Sequence, residues 1–301
     1  MEGFRIYRKE ALADTYRRVT GELVTNCMAL CQKADEEPDQ GAHEIRKITK
    51  RVRAILRLFR KISGEASYQH GMECFRTISM MLAGLRLSRV YVDTFETFVH
   101  DRRLPVDRAD IRKLTRRFRL RHQRVVAEST KNRHLFTEIS NLLLRESDRM
   151  ENLPVIDCGF DVLAESLRKT YKKSQAEFGI ILTTNSPGNL HNLRKTVKCL
   201  WNQLILVRPV WPPVTGVMIR NLDMLAEKLG CEHDLDELIL CLNRDAEMKK
   251  SPVPQQLGDY INRRRKQLEK SIIPLATRLF TEKPGSLAAR LDSYYRVWKG
   301  M

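Results

Sequence analysis

The pattern H-x-[IL]-R-K-x-x-K stands twice in this chain, as His43-Glu44-Ile45-Arg46-Lys47-Ile48-Thr49-Lys50 and as His191-Asn192-Leu193-Arg194-Lys195-Thr196-Val197-Lys198. On a helix the His, Arg and two Lys of each copy fall within an arc of about 100°. In the first copy Ile45, Ile48, Val52, Ile55 and Phe59 gather on the opposite side. Each copy therefore reads as an amphipathic helix with one apolar face and one cationic face headed by a histidine. Two copies imply a duplicated site.

The similarity reaches beyond the motif. Glu10 to Arg18 matches Glu165 to Lys173, with Tyr16-Arg17-Arg18 answering Tyr171-Lys172-Lys173, and Arg76 to Arg89 aligns without gaps with Arg220 to His233. The order of segments is kept while the connections shorten, which marks an internal duplication with a unit of about half the chain. A period this long does not suit a solenoid, so each half is expected to be a helical bundle. The halves are 1–150 and 151–301. The boundary falls at Glu151 to Asp157, where Asn152-Leu153-Pro154 interrupts a helix.

Apolar periodicity predicts helices over 6–33, 38–62, 68–101, 107–149, 157–181, 188–208, 212–247, 254–282 and 285–298. Turn signals such as Glu37-Pro38-Asp39, Leu104-Pro105, Asn185-Ser186-Pro187-Gly188 and Lys283-Pro284-Gly285 separate them. No alternating run argues for a sheet, so the expected fold is all-α. A length of 301 residues with 42 % apolar content is enough to bury a core. No signal-peptide core follows the first Met, and no stretch approaches the ~18 apolar residues of a membrane span. A cytoplasmic location is expected. The seven Cys are scattered through helices without CxxC spacing, which argues against a disulfide framework or a zinc site. Cys27 and Cys31 share a helix face and read as buried thiols.

Charge is the next constraint. Lys and Arg number 54 against 37 Asp and Glu, a net charge of +17, more than solubility requires, and it points to a polyanionic partner. The cations concentrate on repeated helices: Arg46 to Arg57, Arg112 to Arg124, Arg168 to Lys173 and Arg263 to Lys266. An amphipathic helix normally turns such a side to water. Solvation alone, however, does not call for a histidine at the same place in both copies. A lone helical His usually caps or packs; in register with Arg and Lys it can donate, with them, to phosphate oxygens.

His233-Asp234 has another possible role, as the metal-binding dipeptide of a phosphohydrolase, but the further His and Asp ligands such a site needs are not evident. A simpler expectation is that Asp234 or Asp236 orients His233 or caps a helix following Gly230. A nucleic-acid backbone would also satisfy the charge. With only 7 % aromatic residues and no recognisable RRM, KH, zinc-finger or helix-turn-helix signature, that reading rests on non-specific electrostatics.

These residues, followed by Leu225-Ala226-Glu227-Lys228-Leu229-Gly230-Cys231-Glu232-His233-Asp234-Leu235-Asp236, resemble the CHAD family, the conserved histidine α-helical domain, over nearly the whole chain. The resemblance implies two similar bundles related by pseudo-symmetry, facing each other across a basic groove or pore that binds inorganic polyphosphate. Members are binding modules, so neither catalysis nor a cofactor is expected. The family's basic signature falls on His43, Arg46, Lys50 and Arg53 in the first half and on His191, Arg194 and Lys198 in the second. Arg17, Arg18, Lys47, Arg57, Arg89, Arg117, Lys172, Lys173, Lys195, His233 and Arg264 complete the expected polyphosphate-binding set. Polyphosphate granules are the expected cellular partner, and nucleic acid only a non-specific one. The second copy departs at Trp201, which stands where the first has Arg53, and at Ile205, the equivalent of Arg57. The first departs at Arg89-Val90, where similar proteins carry an acidic residue after the basic one.

Linear polyphosphate suits such a surface. It carries about one charge per internal phosphate and has no bases or rings to read, so recognition must come from forked Arg and adaptable Lys donors along a concave surface.

Overall fold

The computed structural model describes residues 3–101, 103–131, 134–184, 187–244 and 253–300. Its helices are α1 (Leu12–Lys33), α2 (Pro38–Leu58), α3 (Arg60–Ser63), α4 (Glu65–Met81), α5 (Ala83–Val99), α6 (Arg108–Thr130) and α7 (His134–Glu151), then α8 (Phe160–Thr183), α9 (Pro187–Val207), α10 (Pro212–Arg244), α11 (Val253–Leu279) and α12 (Pro284–Lys299). A 3₁₀ turn, Arg208–Val210, joins α9 to α10. No strand occurs among the described residues. The fold is all-α.

The motif helices form where the sequence places them. Pro38 opens α2 with a φ already suited to a first helical turn, and Ile45, Ile48, Val52 and Ile55 are buried along its apolar side. At the other end of the chain Gly300 takes φ 85°, and its N–H reaches the carbonyls of Arg296 and Val297, closing α12 in a conformation that favours glycine.

Four expectations need correction. The segment before Leu12 is not helical: Phe4 and Ile6 are buried, and the Ile6 N–H donates to Leu206 O at 3.0 Å, so this stretch is spent on reaching α9. The helix over 38–62 ends at Leu58, and α3 is a separate turn. The single helix over 68–101 is two, parted at Leu82, which is itself buried. The helix over 107–149 is likewise α6 and α7. Residues 245–247, the expected end of α10, and Asn185 and Ser186 of one turn signal lie outside the described residues.

The Leu82 joint lies where the chain passes from one core to another. Ile78, Leu82 and Leu85 enter a large core that draws residues from both halves of the chain. Phe95 and Phe98, further along α5, enter a second core with Phe118 of α6, Leu238 of α10 and Tyr260 of α11. The corresponding second-half stretch, α10, runs unbroken and contributes to both.

Helix neighbours follow the same order in each half. α1 packs on α2 and α7, as α8 does on α9 and α12; α5 pairs with α6, as α10 does with α11. Between the halves the motif helices meet directly, with α2 against α9 and the Gln203 amide donating to Ala54 O at 3.1 Å. The halves therefore touch along their motif helices and again at the second core.

Candidate functional site

Four helices close a ring: α2 packs on α9, α9 on α10, α10 on α5, and α5 on α2. The diagonal pairs have no comparable contact among the described residues. Each member sends charged groups toward the others: Arg46 and Lys50 from α2, Arg194 and His191 from α9, Arg86 from α5, and His233 and Asp234 from α10. Their mutual influence shows how tightly they converge. The Arg46 guanidinium is held below its usual range by burial and by repulsion from Arg86, Arg194 and Arg53, and it donates to Ser79 O at 2.6 Å.

Lys50 is exposed to solvent along its side chain. Burial of its ammonium, with repulsion from Arg194, Arg46, Arg86 and Lys198, nevertheless pulls its pKa down to about 8. The carboxylate among these cations is Asp234, raised by burial against the pull of Arg194, Arg86 and Lys50, with its Oδ2 4.0 Å from Arg86 Nη2.

Arg194 owes its position to a glycine. A Cβ on Gly230 would lie 3.2 Å from Arg194 Nη2, so the bare backbone of α10 leaves room for the guanidinium. Since α10 passes straight through Gly230, no helix starts there. Neither Asp234 nor Asp236 is a cap, and Asp236 instead pairs with Arg265 at 2.9 Å.

The histidines divide. His43 is half-exposed at the rim, 3.9 Å from the Glu44 carboxylate, and burial lowers its pKa. His191 and His233 lie ring to ring with centroids 4.3 Å apart, and His191 Nδ1 is buried without a hydrogen-bond partner. Burial lowers His191, with Lys195 and Arg194 adding to the effect. Burial, His191 and Arg194 push His233 down to about 4. Neither motif histidine enters a core.

The remaining expected residues fall into three groups. Along α2, Arg53 has a buried Nε–H without a partner, and Arg57 donates to Arg53 O; with Lys173 of α8 they surround the Cys199 thiol, which burial nonetheless pushes up. Lys47, Arg89 and Lys198 already hold carboxylates: Lys47 is 2.9 Å from Glu44, Arg89 2.8 Å from Asp93, and Lys198 3.4 and 3.2 Å from Asp223 and Glu227. Lys198 also lies 4.6 Å from the centroid of the Trp201 ring. Lys195 is exposed on α9 beside the histidine pair.

Residues of the third group lie apart from the ring. Arg18 binds Glu10 at 2.7 Å and the carbonyls of Gly3 and Arg5, so it ties down the N-terminal segment. Arg17 pairs with Asp14 at 3.4 Å on the exposed side of α1. Lys172, Arg117 and Arg264 lie on the outer surfaces of α8, α6 and α11.

Arg86 is the residue that sequence reasoning missed. Its second-half counterpart is Gly230, so the repeat gave it no weight, and attention went to Arg89 opposite His233. A usable signal was its spacing of three from Arg89. Arg86, Arg89, Asp39 and Asp93 line a cavity of about 270 Å³ with His43 at one wall. The carboxylate expected to be missing after Arg89 is supplied by Asp93 one turn on and by Asp39, 3.7 Å away on α2. Among the described residues, no three His, Cys, Asp or Glu side chains converge as metal ligands would.

The sequence profile of the CHAD domain matches residues 19–291. The chain belongs to the CHAD family. Every residue of the expected polyphosphate-binding set except Arg17 and Arg18 falls within the matched span. The crystal structure of the CHAD domain from the plant Ricinus communis is similar in fold, with a TM-score of 0.63 over 90 % of this chain and 93 % of that one, at 14 % sequence identity. No curated protein matches the sequence significantly. No described helix of this CHAD protein is long and apolar enough to cross a membrane.

Proposed function

We propose that this CHAD protein binds inorganic polyphosphate without chemical change, in the hollow enclosed by α2, α5, α9 and α10. The observation that carries the reading is the convergence of Arg46, Lys50, Arg86 and Arg194 on one place, where burial first, and then repulsion from Arg194, Arg46 and Arg86, pull Lys50 down to about 8. Asp234 offsets only part of that charge. Cations so arranged destabilise the ligand-free protein, and a polyanion relieves the strain. Membership of the CHAD family supports the choice of ligand.

The two repeats, 1–150 and 151–301, each contribute one motif helix to the hollow. Arg46, Lys50, Arg86 and Arg194 are the principal donors; His43, His191 and His233 add donors and a proton reserve; Arg53, Arg57 and Lys173 extend the basic surface along α2. Location in the cytoplasm and on polyphosphate granules belongs to this proposal. A titration against polyphosphates of several lengths, with single-stranded RNA at the same salt as the control, tests it. Tight polyphosphate binding that RNA fails to displace is expected, and equal competition by RNA assigns the hollow to any phosphate backbone. Steady affinity from low to physiological salt would sink both versions.

A further inference from the structure

Outside the four-helix site, the hairpin of α5 and α6 carries cations that neither motif helix explains. On α5, Arg86, Arg89, Asp93 and Glu96 recur at i, i+3, i+7 and i+10, so they follow one face leading from the cavity beside His43 toward the hairpin tip. α6 returns alongside, and its Arg119 reaches Glu96 at 2.7 Å. The α6 flank that bears Arg119 therefore adjoins the α5 stripe. Further out on that flank stand Arg116, Arg112 and Arg108, one turn apart, all exposed and none ion-paired among the described residues.

Such a line works against the helix that carries it. Like charges one turn apart repel, and Arg108 occupies the first turn, where the helix dipole disfavours a cation. A flank meant only for water would intersperse carboxylates, as Asp110 does for Lys113 at 3.2 Å on another side of α6. The helix exposes no aromatic ring from 108 to 124 on which a nucleobase could stack. The chemistry selects a polyanion without bases, one long enough to run along the hairpin from the cavity beside His43 past Asp93 and Glu96, which Arg89 and Arg119 already hold.

We infer that Arg108, Arg112 and Arg116 form an outer anion track that holds the part of a long polyphosphate chain emerging past His43. The inference rests on the polyphosphate reading above. Tripolyphosphate fills the inner site and ends there. A long chain continues over the hairpin and gains a second foothold at high effective concentration.

The test compares the full chain with R108Q/R112Q/R116Q and with K50E, for tripolyphosphate, long-chain polyphosphate and duplex DNA across a salt series. Glutamine keeps the helix propensity, and thermal midpoints check that the variants stay folded. For the triple variant, long-chain affinity is expected to fall about tenfold, and the log–log salt slope by about two to three, since each lost phosphate contact removes roughly 0.7–0.9. Tripolyphosphate binding is expected to hold, while K50E weakens both polyphosphates. An unchanged long-chain affinity, or an equal loss for tripolyphosphate, overturns the outer track and leaves the inner site standing. A loss confined to DNA assigns the flank to nucleic acid and overturns it as well. If K50E releases neither polyphosphate while the triple variant releases the long one, the track survives and the inner site falls.

Discussion

The imidazole rings of His191 and His233 lie 4.3 Å apart between α9 and α10, tilted by 38°. Buried, and so close together with Arg194 and Lys195 beside them, two imidazoles cannot both carry a proton cheaply, and His233 is pushed down to about 4. Without ligand, the protein at neutral pH therefore holds this pair uncharged.

Polyanion binding reverses that balance. A bound phosphate chain raises the histidine pKa values, so affinity rises as pH falls through the raised values, and protons are taken up on binding. Affinity is expected to increase from pH 8 to pH 6, at a steepness of at most about tenfold per pH unit for each proton taken up. H43Q/H191Q/H233Q should flatten the increase once the ligand's own titration is subtracted; an undiminished increase places the protons elsewhere.

The same depression affects stability. His233 ionises near 4 when folded and near ~6.5 when unfolded, so its contribution is fully present above ~6.5 and is lost as pH falls toward 4. Thermal midpoints of the unliganded protein should drop across that window. In H233Q the drop should be smaller, and saturating polyphosphate should shrink it further.

Lys50 titrates at the other end of the scale. With its pKa near 8, it loses its charge as pH rises from about 7 to about 9, well before an ordinary lysine near ~10.4. Binding should weaken over that interval in the wild type and hold steady in K50R, whose guanidinium stays protonated. Charge reversal should also be unequal. K50E places a carboxylate among Arg46, Arg86 and Arg194, whereas K198E removes a cation that Asp223 and Glu227 already hold, so K50E should cost several-fold more affinity in the same titration.

Gly230 lets stability and binding be separated. Alanine in mid-helix is favoured over glycine by roughly 0.5–1 kcal/mol, and the new Cβ would crowd only the mobile end of Arg194 at 3.2 Å. G230A is expected to melt a few degrees higher while binding polyphosphate several-fold more weakly. Unimpaired binding would remove Arg194 from the site.

Arg18 should behave in the opposite way. It anchors Glu10 and the carbonyls of Gly3 and Arg5, so R18A should destabilise the fold by about 1–2 kcal/mol. Its affinity for polyphosphate should match the wild type at temperatures where both are folded.

The sequence made some of this legible and hid the rest, for identifiable reasons. The motif helices were readable because Ile45, Ile48, Val52 and Ile55 face one core at helical spacing, and the cations oppose them. The break at Leu82 was not, since Ile78, Leu82 and Leu85 keep helical apolar spacing straight through it, and α10 contributes to the same two cores without a break. The contacts of Arg18 were not legible, because a basic pair after a tyrosine looks alike at Tyr16 and Tyr171, while the Glu10 contact that captures Arg18 depends on how the N-terminal segment folds back. Arg86 was invisible to the repeat because duplication highlights what is shared, and its counterpart is a glycine that makes space for Arg194.

The stretch that is jointed at Leu82 in the first half is matched in the second by the continuous α10, so the ring is lopsided. One side is a beam fixed in both cores; the other is a pair of rods with an elbow between them. The elbow side carries Arg86 and Arg89, so these two cations stand on the jointed arm, while His233 and Asp234 stand on the unbroken one.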